Sequence, residues 1–428
     1  MPKLLADITP LRESRPFLRL WIGNGLSSIG TQLTVVAVSL EVYNLTGSTL
    51  AVGMLGLVAL VPLVIAGLYG GAVADTHDRR KVALASSTVL WLVTIGIAAQ
   101  AWLGLGNVGL LYGFIAIQSA AAGMNGAARS AIVPRLVRLE LLPAANALSM
   151  IVMGLGTTVG PLLAGVLVAN VGYAWTYSVD VLTFTASLWA LFRLPPLPPL
   201  PLADGGTVQR AGVRSVLEGF SFLGSRKNVR MTFLVDMCAM VFALPRALLP
   251  AIGAVWLGGA DQTAGLLLAA IAAGSFLAAL FSGPLGHVRR QGLAVVWSIT
   301  VWGGAVACLG GAVLAGGHTH DGVISPWLVA AVAALVVAGV ADSVSSVFRS
   351  TILQAATPDH LRGRLQGIFV VVVTGGPRMG DVFSGATGSA LGEGWAAVMG
   401  GLLCIITVWL LAIWQPGFVR YDARHPEP

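Results

Sequence analysis

Gly71-Ala72-Val73-Ala74-Asp75-Thr76-His77-Asp78-Arg79-Arg80-Lys81 closes one long apolar segment and opens the next. An acid follows a glycine by four residues, and a run of three cations follows the acid. Apolar stretches of bilayer-spanning length lie on both sides, so this reads as a tight charged turn between two membrane helices. Such a turn is poorly placed for catalysis and well placed for a conformational latch.

The 428 residues are 56% hydrophobic and only 10% charged, against about 25% charged in a soluble domain. The chain lacks the polar surface to cover itself in water and reads as a membrane protein. A bilayer-spanning helix needs about 20 apolar residues. Twelve stretches qualify, at roughly 18–43, 49–73, 82–103, 108–131, 141–168, 174–192, 231–257, 263–285, 292–316, 326–350, 364–389 and 395–415. The first reads as a transmembrane helix and not as a cleaved leader, because it is too long for one. The longest hydrophilic interval opens on Pro195-Pro196-Leu197-Pro198-Pro199-Leu200-Pro201, a stiff extended spacer. The expectation is an all-α membrane protein of twelve transmembrane helices in two pseudo-symmetric six-helix bundles. The N-terminal bundle would span 1–192, a cytoplasmic linker 193–230 and the C-terminal bundle 231–428.

All Lys and Arg residues except Arg246 and Arg378 lie in the N-terminus, the even-to-odd loops, the linker, the C-terminus or the helix ends beside them. By the positive-inside rule both termini are cytoplasmic. The net charge of +7 then reflects that bias and not a nucleic-acid partner. The halves also resemble each other. Gly53 and Gly265 stand 212 positions apart, as do Gly71 and Gly283. Arg129-Ser130-Ala131-Ile132 has a counterpart in Arg349-Ser350-Thr351-Ile352, and Gly160-Pro161 in Gly376-Pro377. This is the mark of a duplicated unit, the arrangement alternating-access carriers use.

On these residues the chain resembles the major facilitator superfamily. Gly71-x-x-x-Asp75-x-x-x-Arg79-Arg80-Lys81 resembles its signature between helices two and three, with Asp78 where that signature has glycine. The stretch from Gly156 through Gly160-Pro161 to Gly165 resembles the antiporter signature of exporter branches, with its last glycine displaced and single. Asp75-x-x-Asp78-Arg79-Arg80, Ala174-Trp175-x-Tyr177, Arg246-x-Leu248-x-Pro250 and Leu353-Gln354-x-x-Thr357-Pro358 resemble the enterobactin-exporter group, which also holds drug and macrolide exporters. The resemblance implies an inner-membrane monomer without a cofactor. It would export a small organic molecule in exchange for protons, either a catecholate-type siderophore or, alternatively, lipophilic drugs. It also implies that Asp75 caps a helix of the other half near Leu361–Arg364, with Arg79 and Arg129 positioning its carboxylate. Helices one, four, seven and ten would line the substrate cavity.

Charges at membrane depth are costly without a partner and mark function. They are Glu41, Asp180, Asp236, Arg246, Asp342, Arg378 and Asp381. Glu41 and Asp342 are the candidate proton carriers, since such an acid needs burial and a nearby cation to tune it. Glu41 is expected near Arg246, and Arg246 suits an anionic substrate. Asp236, Phe242 and Met153 are expected at the substrate cavity. Core packing is the plainer reading for Phe242 and Met153, and an interfacial position for Asp236 and Asp180. Arg378 and Asp381 are expected to pair on one helix face. Arg80 and Lys81 read as solvated cations. Gly156, Gly160, Pro161 and Gly165 read as a close helix contact with a kink that seals the cavity against leak. Cys238, Cys308 and Cys404 read as packing residues, and His318 with His320 falls short of a metal site. No catalytic triad, metal or phosphate-cradling spacing occurs. An enzyme, a nutrient importer and a non-transporting receptor or scaffold all fit less well.

Overall fold

The computed structural model describes residues 7–197, 226–281, 288–318, 324–355 and 362–422. Among these, every regular element is a helix. α1 spans Arg15–Thr46, α2 Thr49–Thr76, α3 Arg79–Trp102 and α4 Val108–Leu136. Leu142–Phe192 forms a single hydrogen-bonded run that is broken at Gly172, with φ 79° and ψ 176°. That backbone region is open essentially to glycine only, so the run comprises α5 before Gly172 and α6 after it. α7 begins as Lys227–Phe242 and resumes through Leu249–Ala251 into a π-helical turn at Ile252–Trp256. α8 (Ala260–Leu280), α9 (Gln291–Gly316), α10 (Leu328–Ala355), α11 (Arg362–Leu391) and α12 (Glu393–Trp414) complete the order.

Among the described residues, nine helices are long and apolar enough to cross a bilayer, and one of them, Ala144–Phe192, contains both α5 and α6. The two that fall short do so for visible reasons. The first piece of α7 is only 16 residues long, and the break after it contains Pro245, whose ring does not continue a helix. α11 carries Arg362, Arg364, Arg378 and Asp381, which dilute its apolar character. With these two included, the described residues hold the twelve segments that the hydropathy pattern predicts.

By contacts the chain divides into two units, Met1–Glu41 with Val58–Gly212 and Val42–Leu57 with Val213–Pro428. Of the expected linker, 198–225 lies outside the described residues. In the first unit, Leu20, Val82, Ala83, Ala128, Ile132 and Leu191 from α1, α3, α4 and α6 form one buried cluster. In the second, α7, α9, α10 and α12 pack around Val235, Trp302, Leu335 and Cys404. Each unit contains the same backbone crossing. In the first, a β-carbon at Gly123 of α4 would strike the Leu63 carbonyl and the Gly67 backbone of α2; in the second, one at Gly339 of α10 would strike the Ile271 carbonyl and the Ser275 nitrogen of α8. The sequence duplication is therefore also a duplication of packing.

Candidate functional site

The charged turn is held together by Asp78. Its carboxylate caps α3, accepting from the Arg80 N–H at 2.9 Å and from the Leu197 N–H at 3.3 Å, while the Arg79 N–H donates to the Leu197 carbonyl at 3.2 Å. Arg80 is not the solvated cation that its position predicts. Its guanidinium donates to the carbonyls of Phe192 (2.5 Å) and Leu191 (3.4 Å) and lies 5.8 Å from the Phe192 ring centroid. A cation there satisfies the orphan acceptors at the end of α6 and opposes the helix dipole. Lys81 is exposed, as expected. Gly71 and Asp75 lie on the last turns of α2; their surroundings, and those of Leu361–Arg364, fall outside the described residues.

Arg129 on α4 donates to Asn24 of α1, to Ser87 of α3 at 3.1 Å and to Ser187 of α6 at 2.9 Å. One guanidinium thus ties together four helices of the first unit. Glu41 is 6% exposed and accepts from the Gln100 amide at 2.8 Å and the Tyr177 hydroxyl at 2.6 Å. Instead of the expected arginine, neutral donors hold it inside the first unit. Asp180 is fully buried. It accepts from Thr34 (2.5 Å) and Thr183 (3.2 Å), and a β-carbon at Gly30 would collide with its carboxylate.

Gly156 and Gly160 press α5 onto α1, since a β-carbon at either would strike Ser28 or Gln32. Pro161 and Gly165 are buried on the same helix. The helix passes through Pro161 in helical φ/ψ, and it is broken at Gly172, between the two segments expected there. Met153 is 63% exposed, so it is not core packing. Phe242 packs edge-on against Phe383, with centroids 5.4 Å apart. Cys308 is exposed and not packed, unlike Cys238 and Cys404.

The second unit holds two charge clusters. Arg246, in the break of α7, makes a two-pronged contact with Asp381 of α11. The expected pairing of Asp381 with Arg378 is therefore corrected: a partner from a facing helix displaces the neighbour on its own helix, because both prongs of the guanidinium fork can engage one carboxylate. Arg349 of α10 pairs with Asp236 of α7 and lies 3.6 Å from Asp342. These three line a cavity of about 150 Å³ with Thr232, Ser346 and Ser350. Asp342, Ser346, Arg349 and Ser350 recur at helical spacing and so share one face of α10.

Position in the sequence places Arg349 among the cytoplasmic helix-end cations. The duplication held the missing signal. Arg349 is the counterpart of Arg129, and Asp236 lies 212 positions after Asn24, the same offset as Gly53 and Gly265. The contact between Arg129 and Asn24 is thus repeated as the contact between Arg349 and Asp236.

Comparison with known proteins agrees with this architecture. The family model for transmembrane secretion effectors matches residues 5–419. An enterobactin exporter of Citrobacter koseri is 28% identical over 430 aligned residues, covering 99% of this chain and 97% of that protein. Among solved structures, a POT family transporter in complex with 5-aminolevulinic acid superimposes with TM-score 0.72 at 12% identity, over 95% of this chain and 97% of the other. A D-xylose–proton symporter gives TM-score 0.70 at 11% identity, over 92% and 96%. Identities this low carry the fold and no more.

Proposed function

This chain belongs to the transmembrane secretion effector family, and on that premise we propose that it is a secondary active exporter of a catecholate-type siderophore, driven by proton antiport through alternating access. One observation carries the substrate class: similarity to a protein named as an enterobactin exporter runs over 99% of this chain and 97% of that one. Support for ion coupling comes from the acids held at membrane depth, Glu41, Asp236 and Asp342. Asp342 shares a cavity with a cation and is the better candidate proton carrier, whereas neutral donors hold Glu41. Arg246, Asp236, Phe242 and Met153 would contribute to the substrate path. Gly71, Asp75, Arg79 and Arg129 would stabilise one of the two access states, and Gly156, Gly160, Pro161 and Gly165 would keep the first unit tight against leak. The protein would sit in the inner membrane as a monomer with both termini cytoplasmic.

Inside-out vesicles energised by a pH gradient test the substrate class. Accumulation of a catecholate siderophore, abolished by a protonophore, supports the reading. Accumulation of a lipophilic cationic dye in its place makes the chain a multidrug exporter and overturns it.

A further inference from the structure

We propose that Asp236, Arg349 and Asp342 form the coupling site of this exporter, a one-proton site built entirely within the second unit, in which Arg349 is passed from Asp342 to Asp236 when the proton binds. This rests on the proton-driven reading above.

The duplicated halves supply an internal comparison. Both units carry an arginine at the same place in the repeat, and both arginines reach back to the first helix of their half. In the first unit the receiver is Asn24, and Arg129 is further held by Ser87 and Ser187. The residue seven before Arg129 is Ala122, whereas the residue seven before Arg349 is Asp342. The arginine framework therefore stands in one half without either acid. In the other half two acids have been added around it, although a charge within a membrane helix bundle is costly unless it is partnered. Packing does not require them, since the first unit is built without them.

The charge count specifies the ligand. Two carboxylates and one guanidinium leave a net charge of −1, which one proton neutralises. Asp236 is 10% exposed at its side chain and already engages Arg349, whereas Asp342 is 34% exposed and stands 3.6 Å from the guanidinium. Asp342 is thus the acid open to a proton. Arg349 Nε is buried without a hydrogen bond among the described residues, which leaves the guanidinium free to turn between its two acceptors. Around the cluster, α8 and α9 carry no charged residue within 262–280 and 291–316. On α7, Arg230 lies over the Trp414 ring and Lys227 opens the helix. On α11, Asp381 is taken by Arg246 and Arg378 lies three residues before it, while the side chains of Arg362 and Arg364 fall outside the described residues.

The test reads protonation without substrate. Dicyclohexylcarbodiimide, an apolar reagent that reacts with protonated carboxyls in membranes, is applied to the full-length protein in liposomes across a pH series, and labelled Asp342 is quantified by peptide mass. Asp236→Asn gives Arg349 to Asp342 undivided and should move the labelling midpoint down by about one pH unit or more, the shift expected from a cation within about 4–6 Å. Arg349→Gln should move it up by a similar amount, and Arg349→Lys should return it toward the original value. Midpoints unmoved in both Asp236→Asn and Arg349→Gln overturn the proposal. So does protection of Asp342 by sodium at constant pH, which would identify a sodium site. Because no siderophore is present, failure of the substrate reading leaves this result standing, and failure here leaves siderophore transport standing.

Discussion

Breaking the Arg246–Asp381 pair should expose an asymmetry that the structure makes quantitative. Removing one member of a buried ion pair costs about 3–5 kcal/mol, because the other charge is left uncompensated. Here the members differ: the Asp381 side chain is 6% exposed and that of Arg246 is 35% exposed. Arg246→Met strands a carboxylate with almost no water and should fall near the upper end of that range. Asp381→Asn leaves a guanidinium with solvent access and an amide still able to accept one hydrogen bond, so about 1–3 kcal/mol is expected. Arg246→Met with Asp381→Asn removes both charges and should be less damaging than Arg246→Met by itself. The twelve tryptophans provide a fluorescence signal for thermal unfolding in detergent. The expected order of Tm is parent, double variant, Asp381→Asn, Arg246→Met, with a coupling energy of about 2 kcal/mol or more. Arg378, three residues before Asp381, is placed to stand in as a partner, so the cycle is repeated in an Arg378→Gln background. Strictly additive single effects in that background would refute the pair.

Glu41→Gln should leave transport and stability close to the parent. The new amide can still accept from Tyr177, and it can donate to Gln100 Oε1, which is buried without a hydrogen bond among the described residues; loss of proton-coupled transport in this variant would return Glu41 to the coupling role. Gly160→Val drives a side chain into Gln32 of α1 and should destabilise by about 1–3 kcal/mol, read as a lowered Tm. Asp78→Ala removes the cap of α3 and the acceptor for Leu197, which should cost about 0.5–2 kcal/mol and raise amide exchange in 194–197 before any other segment. Equal exchange across all helices would contradict that.

Hydropathy was enough to place the helices because bilayer thickness sets a length that any apolar run must meet. It was weakest at α7 and α11, where Pro245 and the charges on α11 interrupt the run and function overrides the pattern. Side-chain partners were legible only within a helix or through the repeat. Position along a helix gives depth, but a partner on another helix depends on rotation and crossing, which a single sequence does not state. That is why Asp381 was assigned to Arg378 on its own helix and not to Arg246, and why Arg80 looked solvated although it closes the end of α6. The pocket of Asp180 is made by Gly30 across a helix contact, which position along the chain does not reveal. The acids of the second unit were identified as candidates from their type and depth. Arg349 between them is legible in the sequence through the repeat, as the counterpart of Arg129, with Asp236 at the position of Asn24.

The proposed antiport moves substrate and protons in opposite directions through this chain. Purified protein is reconstituted in liposomes that are acidic inside and hold a pH-sensitive dye, and a catecholate siderophore is added outside. Antiport gives internal alkalinisation that depends on the siderophore, with siderophore uptake that rises with the imposed gradient and disappears when nigericin collapses it. Siderophore entry at a rate indifferent to the gradient, with the internal pH unchanged, would contradict it.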